Sequence, residues 1–478
     1  MENNDVRKGT TRRVFLSASA ATAVAAVPVV SVIAPASAAS ASTGPASNTG
    51  NFDPALRALI AQIDPNRIQA IIEKLVSFGT RSTLSSQTDP NRGIGAANAW
   101  VFAQMQSLAA ASNGNMTVRQ QTFTQTAGLP TPTSITNNIA TLQGTASPER
   151  FYVVTGHLDS RCLDVFDFTS DAPGADDDGS GVAVVLELIR LFATQQFPGT
   201  IVLATVAGEE QGLFGSSFMA AQMAAAGNDV QGMFSNDIVG TGDAHDGTPP
   251  DPFTMRMFLE GVPTNATAND VALIQTVGGE NDSKSRQLGR YVSSVAPFNL
   301  TQMNIRLIWR RDRYLRGTDS RSFQAHGYAA ARFTEPRENF NHEHQNVVVT
   351  NGVQFGDLLQ YVDFDYVARV TAVNVAALWA LASSPSTPSN LQIHTAPPPG
   401  LPGTNLTTLT WNANPEKNLT GYEVVMRETT VQDWTSAIPV GNVTSVTLDI
   451  SKDNVQFGVR AVDQNGNRSP VAFPQVVN

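Results

Sequence analysis

Two short apolar runs, Phe151 to Val154 and Ile201 to Val206, each end at a glycine followed by ionisable side chains. The first leads into Gly156-His157, the second into Gly208-Glu209-Glu210. Runs of this length bounded by Gly predict buried parallel strands. Between them Val182, Val185, Leu186, Ile189 and Phe192 recur at the spacing of one helix face, which predicts a helix over 179–195. Strand, loop, helix, strand is the crossover unit of an α/β sheet. In such sheets ligands bind beyond the carboxyl ends of the strands, where His157, Asp177, Glu209 and Glu210 fall.

The same reading extends along the chain. Helices are predicted over 54–78 (broken near Pro65), 93–111, 213–226, 281–295, 319–325 and 355–381. Strands are predicted over 118–123, 138–142, 233–238 with Asp237 near its end, 255–259, 305–309 and 328–333. The alternation predicts an α/β fold: a mixed, mostly parallel sheet flanked by helices. Ser383-Ser384-Pro385-Ser386-Thr387-Pro388-Ser389 reads as a linker, and the pattern beyond it changes to short alternating strands at 409–411, 421–425, 446–449 and 457–463. That predicts a C-terminal all-β sandwich with Trp411 and Tyr422 as core anchors. It resembles a fibronectin type III module, which implies either a spacer or a contact with a surface or polysaccharide.

Composition narrows the classes. The chain has 478 residues, too many for one ordinary core, with 41% hydrophobic and 15% charged residues. The net charge is −10; setting aside residues 1 to 38 leaves 27 basic against 39 acidic side chains, which argues against a nucleic-acid partner. At the N-terminus, Thr11-Arg12-Arg13-Val14-Phe15-Leu16 precedes an Ala-rich, weakly apolar segment and the small-residue site Ala36-Ser37-Ala38. This is the pattern of a twin-arginine export signal, with no stable membrane anchor, and it predicts a secreted or periplasmic protein. The single cysteine, Cys162, forms no intrachain disulfide and reads as a buried small hydrophobe. Arg306, Arg310, Arg311, Arg313 and Arg316 form a cationic cluster that is either a solvated strand end or a wall for binding carboxylates.

An imidazole and carboxylates at the rim of a sheet suit Zn²⁺ better than Ca²⁺ or Mg²⁺, which prefer oxygen shells. Alone, Asp176-Asp177-Asp178-Gly179 is an ordinary turn or calcium loop, and Glu209-Glu210 an exposed acidic pair. The ordered set G-H-L-D-S, P-G-A-D-D-D-G-S-G, A-G-E-E-Q-G-L-F-G-S and N-D-I-V-G resembles the two-zinc exopeptidase family of secreted bacterial aminopeptidases, relatives of glutamate carboxypeptidase and the transferrin-receptor ectodomain. The resemblance covers residues 55 to 383. It implies a zinc-dependent aminopeptidase with peptide or protein substrates and two Zn²⁺ per chain. One zinc would be held by His157 and Asp237, the other by Glu210 and His342, with Asp177 bridging. Glu209 would be the general base and Asp159 an orienting acid. The family's tyrosine before its last histidine is Asn341 here, which would weaken oxyanion stabilisation. The rivals are a single-zinc acyl-transfer enzyme like the glutaminyl cyclases, a carboxypeptidase and a non-catalytic binding protein. The expected organisation is a signal peptide (1–38), a flexible leader (39–52), a zinc peptidase domain (53–382), a linker (383–389) and the fibronectin type III-like domain (390–478).

Overall fold

The apolar runs form the centre of one eight-stranded sheet. In a computed structural model of the chain, which describes residues 33–34, 53–396 and 405–477, the strands are β1 (Met116–Gln125), β2 (Thr133–Leu142), β3 (Ser147–His157), β4 (Gly199–Val206), β5 (Asp229–Asn236), β6 (Thr254–Leu259), β7 (Asn304–Ile308) and β8 (Ala330–Thr334). Their spatial order is β1-β2-β4-β3-β5-β8-β6-β7. The pairs β4–β3, β3–β5, β5–β8 and β6–β7 are parallel, while β1–β2, β2–β4 and β8–β6 are antiparallel. The sheet is thus mixed and mostly parallel. The expected export signal and leader lie outside the described residues, apart from 33 and 34.

Burial follows the pattern of each segment. Every residue of β4 is buried, as a strand covered on both faces requires. Helix α1 (Gly179–Phe192), which connects β3 to β4, is buried at every position except Arg190. It packs tightly on β3 because Gly156 faces Gly181, where a Cβ on Gly156 would lie 2.5 Å from the Gly181 carbonyl carbon. The helix expected over 355–381 begins later, as α2 (Phe364–Ser383). The Asp363 side chain accepts from the Tyr366 N–H at 2.9 Å and caps it, while residues 353–355 pair with 348–350 in a small antiparallel ribbon. By length and composition α2 could cross a membrane, but 72% of its most apolar 18-residue stretch is buried within the protein, as in a core helix.

The C-terminal unit is two facing sheets. Gln392–His394, Leu406–Thr410, Ser445–Asp449 and Gln475–Val477 lie in one, and Leu419–Arg427, Ser436–Gly441 and Gln456–Asp463 form the other. Leu409, Trp411, Tyr422, Val424, Leu448, Phe457 and Val459 fill the space between. Trp411 and Tyr422 meet with ring centroids 5.3 Å apart.

This unit is bonded to the α/β unit through buried polar groups. Helix α3 (Lys284–Val295) and the turn before it supply Asp282, whose fully buried carboxylate lies 3.1 Å from Arg290 and 2.6 Å from Arg427 of the β unit. Trp434 Nε1 donates to Gln287 at 3.0 Å, and the buried pair Arg150–Glu416 closes at 3.5 Å. Even the linker is engaged, since the Ser386 N–H donates to Glu416 at 2.6 Å and Tyr291 meets Ser384 at 2.8 Å. Removing one partner from a buried ion network leaves the others uncompensated, at a cost of about 3–5 kcal/mol. Asp282→Ala is therefore expected to lower stability by that order in denaturant unfolding, and a chain ending at Ser384 is expected to be less stable still. A full-length Asp282→Ala protein with an unchanged unfolding midpoint would show that the junction contributes little.

Candidate metal centre

Every element that ends near the cleft brings one of its polar side chains. His157 is the last residue of β3, Asp237 follows β5, and Glu209 and Glu210 open the turn after β4. All lie beyond the carboxyl ends of adjacent parallel strands. The acidic triplet before α1 splits into three roles. Asp178 turns inward: its Oδ1 accepts from the Gly181 N–H at 3.0 Å, capping the helix, and its Oδ2 accepts from the His157 backbone N–H at 2.7 Å. Asp176 accepts from the Ser180 hydroxyl at 3.0 Å. Only Asp177 faces the cluster, and its peptide bond to Asp178 is cis.

Asp177 meets two imidazoles at once. Its Oδ1 lies 2.9 Å from His157 Nε2 and its Oδ2 lies 2.8 Å from His344 Nε2. His344 Nε2 is also 3.2 Å from Glu210 Oε2. Donor atoms of His157, Asp177 and Glu210 lie within 4.8 Å of one another. The His157 ring is oriented through Nδ1, which meets the Asp159 carbonyl at 3.0 Å, so Nε2 is left to face the cleft. Glu209, Asp237 and His344 line the same cleft, a cavity of about 260 Å³.

The last histidine requires a correction. His342, the expected ligand, lies outside the cluster: its ring stacks on Tyr361 with centroids 3.6 Å apart and packs against His245 at 5.3 Å. His344 takes the place next to Asp177 and Glu210. The segment is a loop rather than a strand, and His344 has a left-handed φ of 53°, so the two rings do not share a side. The residue before the clustered histidine is consequently Glu343, and the comparison of Asn341 with the family tyrosine no longer applies.

Several residues support the site from around it; Asp159 is the orienting acid that the resemblance implies, whereas Asp357 and Arg332 had no local signal in the sequence. Asp159 holds the acidic pair: its carboxylate accepts from the Glu209 N–H at 3.2 Å, the Glu210 N–H at 3.1 Å and the Thr83 hydroxyl at 3.2 Å. Asp357, remote in sequence, accepts from the Asp176 N–H at 2.9 Å and the Asp177 N–H at 2.7 Å. The fully buried Arg332 donates to Asp237 Oδ1 at 2.9 Å and to its carbonyl at 3.0 Å. The expected arginine cluster divides: Arg306 is an exposed partner of Asp251, whereas Arg313 and Arg316 line the cleft.

The electrostatics are those of crowded, desolvated acids. Burial pushes the Glu209 carboxyl well above the usual range; the His157 ring opposes that, and the charges of Asp237, Glu210 and Asp319 reinforce it. Burial and the Asp177 charge raise Asp237, and burial raises Glu210 against the pull of His344. Burial would lower His344, but Glu210 and Asp177 override it and push the ring up to about 11. Glu210 Oε1 is buried without a partner. An orphaned carboxylate oxygen beside two imidazoles and a carboxylate that faces both is a donor set that fits zinc.

Comparison with known proteins agrees with this chemistry. The family model for peptidase family M28 matches residues 137–350. A probable zinc metalloprotease of Leptosphaeria maculans is 46% identical over 421 residues, covering 88% of this chain and 96% of the relative. The chain belongs to peptidase family M28. It is a zinc metallopeptidase, with peptide or protein substrates. A probable zinc metalloprotease of Pyricularia oryzae is likewise 46% identical over 430 residues, covering 88% of this chain and 84% of that protein. Both relatives are fungal. The 421 matched residues exceed the 382 that precede the linker, so this M28 relative also shares part of the β unit. Among solved structures, the aminopeptidase of Aneurinibacillus sp. strain AM-1 has a TM-score of 0.46 at 16% identity over 69% of this chain and 96% of its own. A Fimbriiglobus ruber glutaminyl cyclase has a TM-score of 0.48 at 16% identity over 69% and 97%.

Metal bound only by the folded state stabilises it by about 2.7 kcal/mol at one hundred times its Kd. Chelation is therefore expected to lower the thermal unfolding midpoint of this M28 peptidase, and added zinc to restore it. A midpoint that responds to neither would contradict metal binding at this cluster.

Proposed function

We propose that the protein is an exported two-zinc aminopeptidase that removes the N-terminal residue from peptides. The observation that carries the two-metal reading is Asp177, whose oxygens each face a different imidazole, as expected of a bridging carboxylate. His157 and Asp237 would hold one zinc, Glu210 and His344 the other. A single-zinc acyl-transfer enzyme would not need this arrangement. The metal pair, when bound, supplies Lewis-acid polarisation of the carbonyl and a water of lowered pKa.

The chain's own groups do the rest. Glu209 accepts the proton of the attacking water on its carboxylate and returns it to the leaving amine nitrogen as the C–N bond breaks. Asp159 fixes Glu209 and Glu210 by accepting both backbone N–H groups. Exposed Leu163, Phe166, Tyr314, Leu315 and Phe340 lie on the loops that also carry Arg161, Arg316 and His344, a surface suited to peptide. The motif resemblance supports the amino-terminal direction, and Arg12-Arg13 supports export by the twin-arginine route. The test is a matched pair, Ala-Ala-amide and its N-acetyl form, with the zinc-loaded protein. Cleavage of the free amine alone is expected, and cleavage of the blocked form at a similar rate would contradict the assignment.

A further inference from the structure

Four arginines line the cleft: Arg161, Arg313, Arg316 and Arg321. Two are committed to carboxylates. Arg313 lies 2.6 Å from Glu338, and Arg316 lies 3.1 Å from Glu338 and 3.4 Å from Glu343. The other two have no acidic partner among the described residues. Arg161 donates only to backbone carbonyls, from Nε to Cys162 at 3.0 Å and from Nη2 to Leu163 at 2.9 Å. The Arg321 side chain makes no hydrogen bond or ion pair with a described residue; it lies along Gly317, where a Cβ would meet its Nη1 at 2.5 Å. Gly317 thus leaves the space the guanidinium occupies.

Asp177, Glu209, Glu210 and Asp237 line the same cleft, and Asp237 is already paired with Arg332. Arg161 and Arg321 are half-buried beside these acids and have no acidic partner of their own among the described residues. A planar guanidinium with free N–H groups is suited to a carboxylate. We propose that Arg161 and Arg321 bind a carboxylate of the substrate, so that the enzyme selects short anionic peptides. This rests on the exopeptidase reading above. The carboxylate can come from an acidic first residue, an acidic second residue or a free C-terminus, and all three present the same chemistry.

The experiment compares three matched pairs with zinc-loaded full-length protein: Glu-Ala-amide against Gln-Ala-amide, Ala-Glu-amide against Ala-Gln-amide, and Ala-Ala against Ala-Ala-amide. A charge-assisted contact corresponds to about 10- to 100-fold. In at least one pair the charged member is expected to have that advantage in kcat/KM, and the pair identifies the source of the carboxylate. Arg321→Gln and Arg161→Gln are expected to bring the ratio toward one, and Arg321→Lys to restore part of it. Binding is measured separately by calorimetry on the Glu209→Gln protein, where the same preference should appear in Kd without turnover. Ratios near one in every pair, in rates and in Kd, would overturn the inference while leaving exopeptidase action standing. Failure to cut any of the six would count against that action, and the Kd ratios would still decide the role of the arginines.

Discussion

Glu209→Gln is expected to lose about 10²- to 10⁴-fold in turnover while keeping its metal. The two acids of the turn are adjacent but differently engaged. Glu210 Oε2 is 3.2 Å from His344 and belongs to the donor cluster with His157 and Asp177. Glu209 lines the cleft without belonging to that cluster. Its backbone N–H is fixed by Asp159, so the substitution to an amide of the same shape removes the base without moving the turn. Glu210→Gln is expected to behave in the opposite way, losing metal, with activity partly recovered in excess zinc. Turnover measured beside metal content on the two variants separates these roles. A fully active Glu209→Gln enzyme would exclude it as the base, and a metal-depleted one would exchange the two assignments.

His344→Ala is expected to lose metal from one site, whereas His342→Ala is expected to retain both. His344 makes the short contacts to Asp177 and Glu210, so its loss removes a donor atom outright. Losing even an outer hydrogen-bond partner of a ligand typically costs about 10- to 100-fold in metal affinity, and losing the ligand itself should cost more. His342 instead closes an aromatic stack with Tyr361 and His245, and its removal should lower stability locally. Competition with a chromogenic chelator gives both affinities. Weakened binding in His342→Ala with normal binding in His344→Ala would reverse the assignment.

The contrast between these residues shows what the sequence could reveal. Strand ends were legible where an apolar run stopped at a glycine and a polar group followed, which placed His157, Glu209 and Glu210 at one rim, and Asp237 was legible as the acid near the end of the apolar run that starts at Met233. The crossover helix was legible from its 3.6-residue spacing. The choice within Asp176-Asp177-Asp178 was not, since composition is identical at all three and only the cap at Asp178 and the turn before it decide which side chain points out. His342 and His344 were indistinguishable for a similar reason. An extended segment would put both on one side, and the outcome depends on a left-handed residue and on Tyr361, a partner supplied by a later segment. The late start of α2 had a local signal in Asp363, a capping residue. Asp357 and Arg332 had none, because each acts on a strand or loop far away in sequence. The junction with the β unit was equally hidden, as Asp282 and Arg427 are ordinary charged residues until the fold brings them together.

The central claim is a pair of zinc ions sharing Asp177. Anomalous scattering at the zinc absorption edge, collected from crystals of the zinc-loaded full chain, tests it most directly. Two peaks are expected, one beside His157 and Asp237 and one beside Glu210 and His344, with an oxygen of Asp177 at each. A single peak, or a peak beside His342, would contradict the account.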